Sequence, residues 1–149
     1  MEKFSITTII ALYGAILSSI VFFWNLYRDL TDKGDVQVLC YIGKFVRQDR
    51  VIDDRRHLVF KLTNVGRRPI NITTIGGTTK EDQFVIPFRE LPKMLEPKEE
   101  TLRFWPDLSI LNDNLIDIWA LDSLGKKYKL KRKALKELIR KEKSKHQES

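Results

Sequence analysis

Cysteine and histidine are scarce in this chain of 149 residues. It contains one cysteine, Cys40, and two histidines, His57 and His146. A single cysteine cannot form a disulfide within the chain, and it excludes the metal sites that are built from several cysteines. The two histidines leave little material for a histidine-based metal site or for an activated nucleophile. The sequence therefore predicts no metal, no cofactor and no disulfide framework.

Excess positive charge is missing from most of the chain, although the net charge is +7. Eleven Lys and Arg residues and three Asp and Glu residues lie between Lys126 and Ser149, so that this segment alone carries +8. The residues before it are nearly neutral. An apolar fraction of 42% is high enough for a folded core. The length and composition are therefore typical of a single globular domain with a basic tail.

One long segment lacks charge altogether. The 24 residues between Lys3 and Arg28 contain no Asp, Glu, Lys or Arg. As a helix they would extend over about 36 Å, enough to cross a hydrocarbon core of about 30 Å. A cleaved signal peptide is the alternative, but its apolar part is usually shorter and ends at small residues, whereas aromatic residues end this segment. We therefore predict a transmembrane helix over residues 4–27.

Basic residues flank this helix unequally. Arg28, Lys33, Lys44 and Arg47 follow it, whereas Lys3 precedes it. Basic residues close to a transmembrane helix favour the cytoplasmic side of the membrane. An unpaired cysteine is also typical of a reducing compartment. We therefore expect a single-pass protein of the cell membrane whose soluble domain lies in the cytoplasm.

Small residues recur at a spacing of four within the apolar segment. They are Ala11, Gly14, Ala15, Ser18 and Ser19. Small side chains at this spacing let two membrane helices approach closely. The pattern indicates that the anchor self-associates, although small residues are also common in membrane helices that do not associate.

After a polar hinge at 28–35, apolar and polar residues alternate in seven short runs. This period of two, with turn residues between the runs, is typical of an antiparallel β-sandwich. The regular succession of strand and helix that indicates a parallel sheet is missing. The predicted strands fall at 36–46, 58–63, 70–74, 84–88, 102–105, 116–121 and 128–130, with turns at 64–69, 76–77 and 123–125.

Three segments of this region resemble a known class of protein. They are 62–70 (LTNVGRRPI), 95–100 (LEPKEE) and 121–128 (LDSLGKKY). With the order of helix and strands, they resemble small prokaryotic membrane-anchored proteins with an immunoglobulin-like domain, which are largely uncharacterised. The resemblance covers most of 36–130 and implies an immunoglobulin-like sandwich without the disulfide of antibody domains. Many such domains end the Leu-x-Pro turn with a glycine, where this chain has Lys98.

A charged cluster precedes His57. Asp53 and Asp54 could divide acid and base roles between them, and His57 could act as a base. A solvated hairpin loop accounts for the same residues, and no nucleophile motif accompanies the histidine. Cys40 fits a buried position in a strand. We therefore predict no catalytic residues and a protein that is not an enzyme.

Arg67 and Arg68 stand side by side in the turn at 64–69. Two guanidinium groups at the tip of a rigid turn could hold a phosphate or a carboxylate, although a solvated hairpin tip explains them as well. We predict that they bind a ligand or a partner together with an edge strand. Trp119, in the most apolar of the late strands, is expected in the core.

An amphipathic helix and tail are predicted at 131–149. Its apolar stripe consists of Leu130, Ala134, Leu135, Leu138 and Ile139, and the basic residues assigned to the membrane surface are Lys131, Arg132, Lys133, Lys136 and Arg140. The stripe could pack on the sandwich, the helix could lie on the inner leaflet, or it could bind nucleic acid through phosphates. The lack of a base-reading motif makes nucleic acid the weakest of these interpretations.

The sequence as a whole favours a non-enzymatic binding protein of mainly β class. Its expected parts are an N-terminal transmembrane helix, a seven-stranded antiparallel immunoglobulin-like sandwich at 36–130 and a C-terminal basic helix. The leading hypothesis is that the sandwich holds or recruits a protein partner at the membrane. The alternative is a sensor-effector whose sandwich binds a small anionic, nucleotide-like ligand and whose anchor oligomerises to perturb the membrane.

Overall fold

A computed structural model of the chain describes residues 5–46 and 52–147. The chain divides into two compact units, one ending at Lys33 and the other beginning at Gly34. The first unit is a single helix. The second contains all the described strands and a second helix.

Helix α1 (Ile6–Thr31) forms the first unit. The side-chain oxygen of Ser5 accepts a hydrogen bond from the Thr7 amide at 3.3 Å and so caps the first turn. The segment Ile6–Leu30 reaches a mean hydropathy of 2.2, and none of it is buried, so its length and composition would allow it to cross a membrane. The helix continues four residues into the expected hinge, because no glycine or proline interrupts it there.

The second unit contains two antiparallel sheets and the C-terminal helix. The elements are β1 (Val36–Val46), β2 (Ile52–Asn64), β3 (Ile70–Thr79), β4 (Gln83–Ile86), β5 (Lys93–Leu95), β6 (Glu100–Trp105), β7 (Leu115–Asp122), β8 (Lys127–Lys129) and α2 (Arg132–Gln147). The small sheet has the strand order β1-β2-β6. The large sheet has the order β4-β3-β7-β8, and β5 pairs with β3. The prediction of a mainly β, antiparallel protein with a helix at each end is confirmed.

The described residues form eight strands, whereas the sequence pattern predicts seven. The additional strand, β5, is three residues long and therefore too short to show a period of two. A second difference concerns β2, which begins at Ile52 and includes the charged residues that were expected in a hairpin loop. The strand continues because Asp53 pairs with Phe45 beyond a bulge at Lys44/Phe45.

Gly76 and Gly77 were expected in a turn but lie inside β3. A Cβ atom at Gly76 would collide with the carbonyl oxygen of Phe84 and come within 2.9 Å of the Trp119 ring. A Cβ atom at Gly77 would lie 2.5 Å from the Phe84 ring. The two glycines therefore make room for neighbouring aromatic rings and strands, and do not reverse the chain.

The two sheets share one hydrophobic core. The small sheet contributes Leu58, Phe60 and Leu62, all 0% exposed, and the large sheet contributes Ile72 and Ile75. Along β2 they alternate with outward-facing residues, and in β3 the irregularity between Ile72 and Thr74 lets both isoleucines face inward. The core of the second unit is therefore built between its sheets.

Helix α2 packs against this same core. Leu135 and Leu138 are buried in it, and the helix contacts β1 of the small sheet and β7 of the large sheet. An ion pair of 2.6 Å between Arg56 and the buried Glu142 fixes the helix from its polar side. Residues 132–147 thus belong to the same compact unit as the strands, not to a separate tail.

Candidate functional site

Asn64 organises the turn that displays the two predicted arginines. Its side chain is fully buried at the end of β2. The amide nitrogen Nδ2 donates hydrogen bonds to the carbonyl oxygens of Arg68 (2.8 Å) and Leu95 (2.9 Å), and Oδ1 accepts one from the Gly66 amide (3.0 Å). One buried side chain thus joins the turn at 64–69 to the end of β5.

Arg67 and Arg68 are both exposed on this turn. The turn therefore displays two cationic side chains at the surface and does not enclose them. Their role as a binding site remains a prediction.

Asp53, Asp54 and His146 lie outside the residues whose side chains the structure describes. The ring of His57 is half-buried, with Nδ1 3.1 Å from the carbonyl oxygen of Arg55.

Lys98 has a left-handed backbone conformation, with φ of 68°. Its amide donates a hydrogen bond to the carbonyl oxygen of Asn64 at 2.8 Å. Glycine adopts a positive φ without steric cost. Lysine adopts it here at a cost of about 1 kcal/mol in backbone strain.

A second buried polar group, Asp122, closes the turn between β7 and β8. Its carboxylate accepts hydrogen bonds from the amides of Leu124 (2.9 Å) and Lys126 (2.8 Å) and from the Tyr128 hydroxyl (3.0 Å). Burial, together with the hydrogen bond to Asp122, raises the pKa of Tyr128 well above its usual value. This cluster is satisfied internally, which identifies it as a structural element of the turn.

Cys40 is the one thiol of the chain and lies on the inner side of β1. Burial raises the pKa of Cys40 to about 12. The reactive thiolate is therefore negligible at neutral pH. Among the described residues, no group of three or more His, Cys, Asp or Glu residues could hold a metal ion.

On the outer face of the large sheet, the aromatic residue Trp119 is buried. Trp119 is buried as expected, at 4% exposed, but it lies against Gly76 of the neighbouring strand on the outer side of the sheet and outside the main core cluster. Its Nε1 donates a hydrogen bond to Thr78 Oγ1 at 3.1 Å. The Lys127 ammonium lies 4.5 Å from the ring centroid and donates to Gln83 Oε1 at 2.9 Å. The side chain of Lys127 thus extends from β8 across the ring of Trp119 to β4.

A second lysine neutralises the carboxylate on the same face. Lys129 Nζ lies 2.7 Å from Asp117 Oδ2. Burial alone would raise the pKa of Asp117, but the hydrogen bond and the charge of Lys129 outweigh it, so that the pKa is lowered from its usual value. The outer face of the large sheet is therefore polar, with cationic side chains outermost.

The outer face of the small sheet has the opposite character. Leu39, Tyr41, Leu102 and Phe104 are 37–44% exposed on it, although they belong to the middle of their strands. Tyr41, Val59 and Phe104 form one row across the three strands, and Leu39, Lys61 and Leu102 form the next row. Val59 in the centre is 2% exposed. These six residues form a continuous surface, which we call the small-sheet face.

One ion pair joins the small-sheet face to its border. Lys61 Nζ, in the middle of the face between Leu39 and Leu102, lies 2.6 Å from Glu100 Oε2, and both side chains are at least partly exposed. A single alternating set of apolar residues in the sequence does not reveal this face. In β1 both sets are apolar, since Leu39 and Tyr41 occur between Val38, Cys40 and Ile42. Apolar residues at both parities of a short antiparallel strand are the signal that could have revealed it.

The exposed side of α2 is basic. The five side chains predicted at the membrane surface are all exposed: Lys131, Arg132, Lys133, Lys136 and Arg140. Lys143 on the same side forms an ion pair of 2.5 Å with Asp113. Because the apolar stripe is buried in the core, the helix can present its charged side, but not its apolar side, to another surface.

The small residues of α1 lie on one side of that helix. Ala15 and Ser19 form part of an apolar groove of about 630 Å³, together with Ile16, Ile20, Phe23, Trp24 and Tyr27. The Ser19 hydroxyl donates to the carbonyl oxygen of Ala15 at 2.9 Å, which satisfies it within the helix. Self-association through Ala11, Gly14, Ala15, Ser18 and Ser19 remains a prediction.

No model of a protein family matches the chain, and no curated protein is significantly similar to it in sequence. The residues themselves must therefore support any statement about function.

Proposed function

We propose that this chain is a single-pass membrane protein with a non-enzymatic interaction domain of immunoglobulin-like type, which holds a protein partner at the membrane. The single observation that carries the proposal is the combination of an unburied apolar helix long enough to cross a membrane with a closed β unit that leaves an apolar surface uncovered. The first feature supports anchoring, and the second supports binding.

The small-sheet face is the proposed contact surface. Apolar side chains around one lysine, which forms an ion pair with a bordering glutamate, are compatible with the composition of a protein interface. We prefer it to the turn that carries Arg67 and Arg68, because exposed arginines at a hairpin tip gain little by association unless a partner desolvates them. Arg67 and Arg68 then serve as bordering contacts or as a separate anion site.

The basic side of α2 is proposed to face anionic lipid headgroups on the cytoplasmic side. Each basic residue close to such a surface contributes about 1 kcal/mol. Lys131 and the four exposed cations of α2 could therefore orient the domain without inserting into the bilayer. Nucleic acid offers the same phosphate chemistry, but nothing in the described part of the chain resembles a base-reading element.

Membrane extraction tests the anchor. Membranes that contain the full chain are washed with alkaline carbonate and then with a mild detergent. A spanning helix keeps the protein in the pellet until detergent is added, whereas a peripheral protein is released by carbonate. Recovery in the carbonate supernatant would contradict the proposal.

Protease digestion of sealed vesicles tests the orientation. In right-side-out vesicles a cytoplasmic domain is protected, and in inverted vesicles it is digested. The matched control is digestion after detergent treatment, which removes protection in both cases. Digestion in intact right-side-out vesicles would place the domain on the other side of the membrane.

Photo-crosslinking tests the contact surface. A photoreactive residue at Leu39 or Leu102 of the full chain is expected to crosslink to protein in intact membranes. The same residue at Val85, which is 59% exposed on the outer side of the large sheet, is the matched control. Equal crosslinking at all three positions, or none at all, would exclude the small-sheet face as the partner site.

A further inference from the structure

We infer that the inner side of β6 binds the carboxylate group of a small organic acid. The binding groups are the guanidinium of Arg103 and the indole nitrogen of Trp105, two residues apart on the same strand. This ligand is additional to the protein partner proposed above. The inference depends neither on the membrane anchor nor on the small-sheet face.

Two nitrogen atoms on this side of β6 are buried without a hydrogen-bond acceptor. They are Arg103 Nε and Trp105 Nε1, and neither has a partner within the described part of the chain. Alternate residues of a strand share a face, so the Cα atoms of these two residues lie about 7 Å apart on one side. A donor that is buried without an acceptor destabilises the folded chain. The pair therefore points to an acceptor that comes from outside the chain.

The chain satisfies only one end of the Arg103 guanidinium. Nη1 donates hydrogen bonds to Thr101 Oγ1 and to the carbonyl oxygen of Leu102, both at 2.7 Å. The Glu90 carboxylate lies 3.1 Å from the same nitrogen. All three contacts use Nη1, so that the edge containing Nε is left for another acceptor. A carboxylate fits this edge, because its two oxygens match the spacing of two guanidinium N–H groups.

Glu90 shows that a carboxylate can reach this guanidinium from the solvent. The Glu90 side chain is 74% exposed, whereas that of Arg103 is 10% exposed. An exposed carboxylate contributes little to an ion pair, because water competes for its charge. An acid from solution can therefore replace the Glu90 carboxylate. It gains hydrogen bonds from the buried nitrogens that Glu90 leaves without a partner.

Aromatic rings beside the guanidinium determine the kind of acid. Phe88 packs edge to face on Phe60, with ring centroids 5.8 Å apart, and on Trp105, at 6.1 Å. Phe60 is the residue of β2 that pairs with Arg103. Sulfate or phosphate would place further charged oxygens against these rings, where they would lack donors. A monocarboxylate with an aromatic or aliphatic body fits both the guanidinium and the rings.

The indole N–H signal of Trp105 tests the inference by nuclear magnetic resonance of the full, isotopically labelled chain in mild detergent. Trp105→Phe identifies this signal by its loss. Benzoate is the probe, benzamide is its uncharged control, and sulfate is the inorganic anion, all at one ionic strength. We expect benzoate to shift the Trp105 signal in a saturable way. The signals of Trp24 and Trp119 should stay in place, since Trp119 Nε1 already donates to Thr78.

Three outcomes of this titration would contradict the inference. No shift of the Trp105 signal with benzoate would overturn it and leave the two nitrogens to bound water. A shift of all three indole signals, or the same shift with benzamide, would show unspecific contact and would also overturn it. Equal affinity for sulfate would overturn the assignment to carboxylates. The proposed contact with a protein is tested separately by photo-crosslinking, and none of these outcomes affects it.

Removal of the guanidinium locates the bound carboxylate. Arg103→Met replaces the charge by an apolar side chain of similar length, and we expect it to weaken benzoate binding at least about tenfold. Arg67→Met removes the same charge from an exposed turn and is the matched control, which should leave the affinity unchanged. Circular dichroism shows whether each variant is folded. Unchanged affinity in a folded Arg103→Met variant would overturn the inference.

Removal of the competing carboxylate gives an effect of the opposite sign and keeps Arg103 in place. Glu90→Gln should raise the affinity for benzoate about threefold, because the acid no longer replaces an ion pair. Glu96→Gln removes the same charge from another exposed position and should have no effect. Unchanged or lower affinity in Glu90→Gln would overturn the inference even if Arg103→Met fails to fold.

Discussion

The two sheets of this protein treat their outer faces in opposite ways. On the large sheet, Trp119 lies against Gly76 and beneath Lys127, so that an aromatic ring on the solvent side is 4% exposed. On the small sheet, Tyr41 and Phe104 stand over Val59 and remain 44% and 38% exposed. Each face buries one residue at its centre, Trp119 on the large sheet and Val59 on the small sheet. On the large sheet, the side chain of Lys127 lies over the aromatic ring.

This difference shows that the fold itself does not require apolar side chains to be exposed on the outer face of a sheet. A glycine beneath an aromatic ring and a long lysine above it are enough to bury the ring on an outer face. The small sheet has a glycine at the edge of the corresponding surface, Gly43, and its aromatic rings remain partly exposed. Its exposed apolar surface is thus a property of particular residues, which is what a binding surface requires.

Truncation of an aromatic residue on each face should give the largest difference. We expect Trp119→Ala to lower the free energy of unfolding by about 3–4 kcal/mol, because it leaves a cavity and removes the hydrogen bond to Thr78. Tyr41→Ala, on the small-sheet face, should cost about 1 kcal/mol. Urea unfolding of the full chain in mild detergent, followed by circular dichroism, measures both. Equal losses would remove the contrast between the faces.

Adding a methyl group to each face should give the next largest difference. Gly76→Ala places a carbon against the Phe84 carbonyl and the Trp119 ring, so a loss of about 2–3 kcal/mol is expected. At Gly43 the nearest atoms are 3.6 Å away, in Tyr41 and Val59, which is ordinary contact. Gly43→Ala should therefore change stability by less than about 0.5 kcal/mol. A tolerated Gly76→Ala in the same unfolding assay would mean that Trp119 is not packed as described.

Removal of a lysine from each face gives a smaller effect. Lys127→Met keeps the apolar stem over Trp119 but loses the cation–π contact and the hydrogen bond to Gln83, at a cost of about 1 kcal/mol. Lys61→Met loses an exposed ion pair with Glu100 and should cost less than about 0.5 kcal/mol. High salt is the control: if it cancels the Lys127 effect completely, simple ion screening and not the ring contact is responsible.

Acidification should give the smallest effect, and it acts on the large sheet. The pKa of Asp117 is lowered in the folded protein, so its ionised form contributes stability above the unfolded pKa of about 4 and loses it as the pH falls further. Because Lys129 is largely exposed, the contribution is less than about 1 kcal/mol. Asp117→Asn should flatten the dependence of unfolding free energy on pH below 4. A variant as acid-sensitive as the parent would contradict this assignment.

The sequence predicted the broad fold well, for a physical reason. An uncharged run of 24 residues and a period of two are both local properties, so the apolar helix and most strands could be identified from neighbouring residues alone. The C-terminal helix was equally visible in the spacing of Leu135 and Leu138. Element ends were less accurate, since β2 extends to Ile52 through charged residues that are not typical of a strand.

The candidate site was predicted less well than the fold. Arg67 and Arg68 were identified from residue type and turn chemistry, and the structure places both at the surface of a turn fixed by Asn64. The small-sheet face was not identified, because its residues come from three strands that are distant in sequence. Leu39 and Leu102 become neighbours of the same lysine only when β1 and β6 pair with opposite edges of β2.

The sequence by itself determined which segments are apolar, which alternate and where the positive charge collects. Those are properties of composition and periodicity, and interactions between neighbouring residues are enough for them to give helices and strands. Only the tertiary structure decided that Gly76 accommodates Trp119, that the stripe of α2 is buried, and that one outer face stays apolar. Each depends on which strands become neighbours, and pairing between distant segments brings together side chains whose order in the chain gives no sign of their contact.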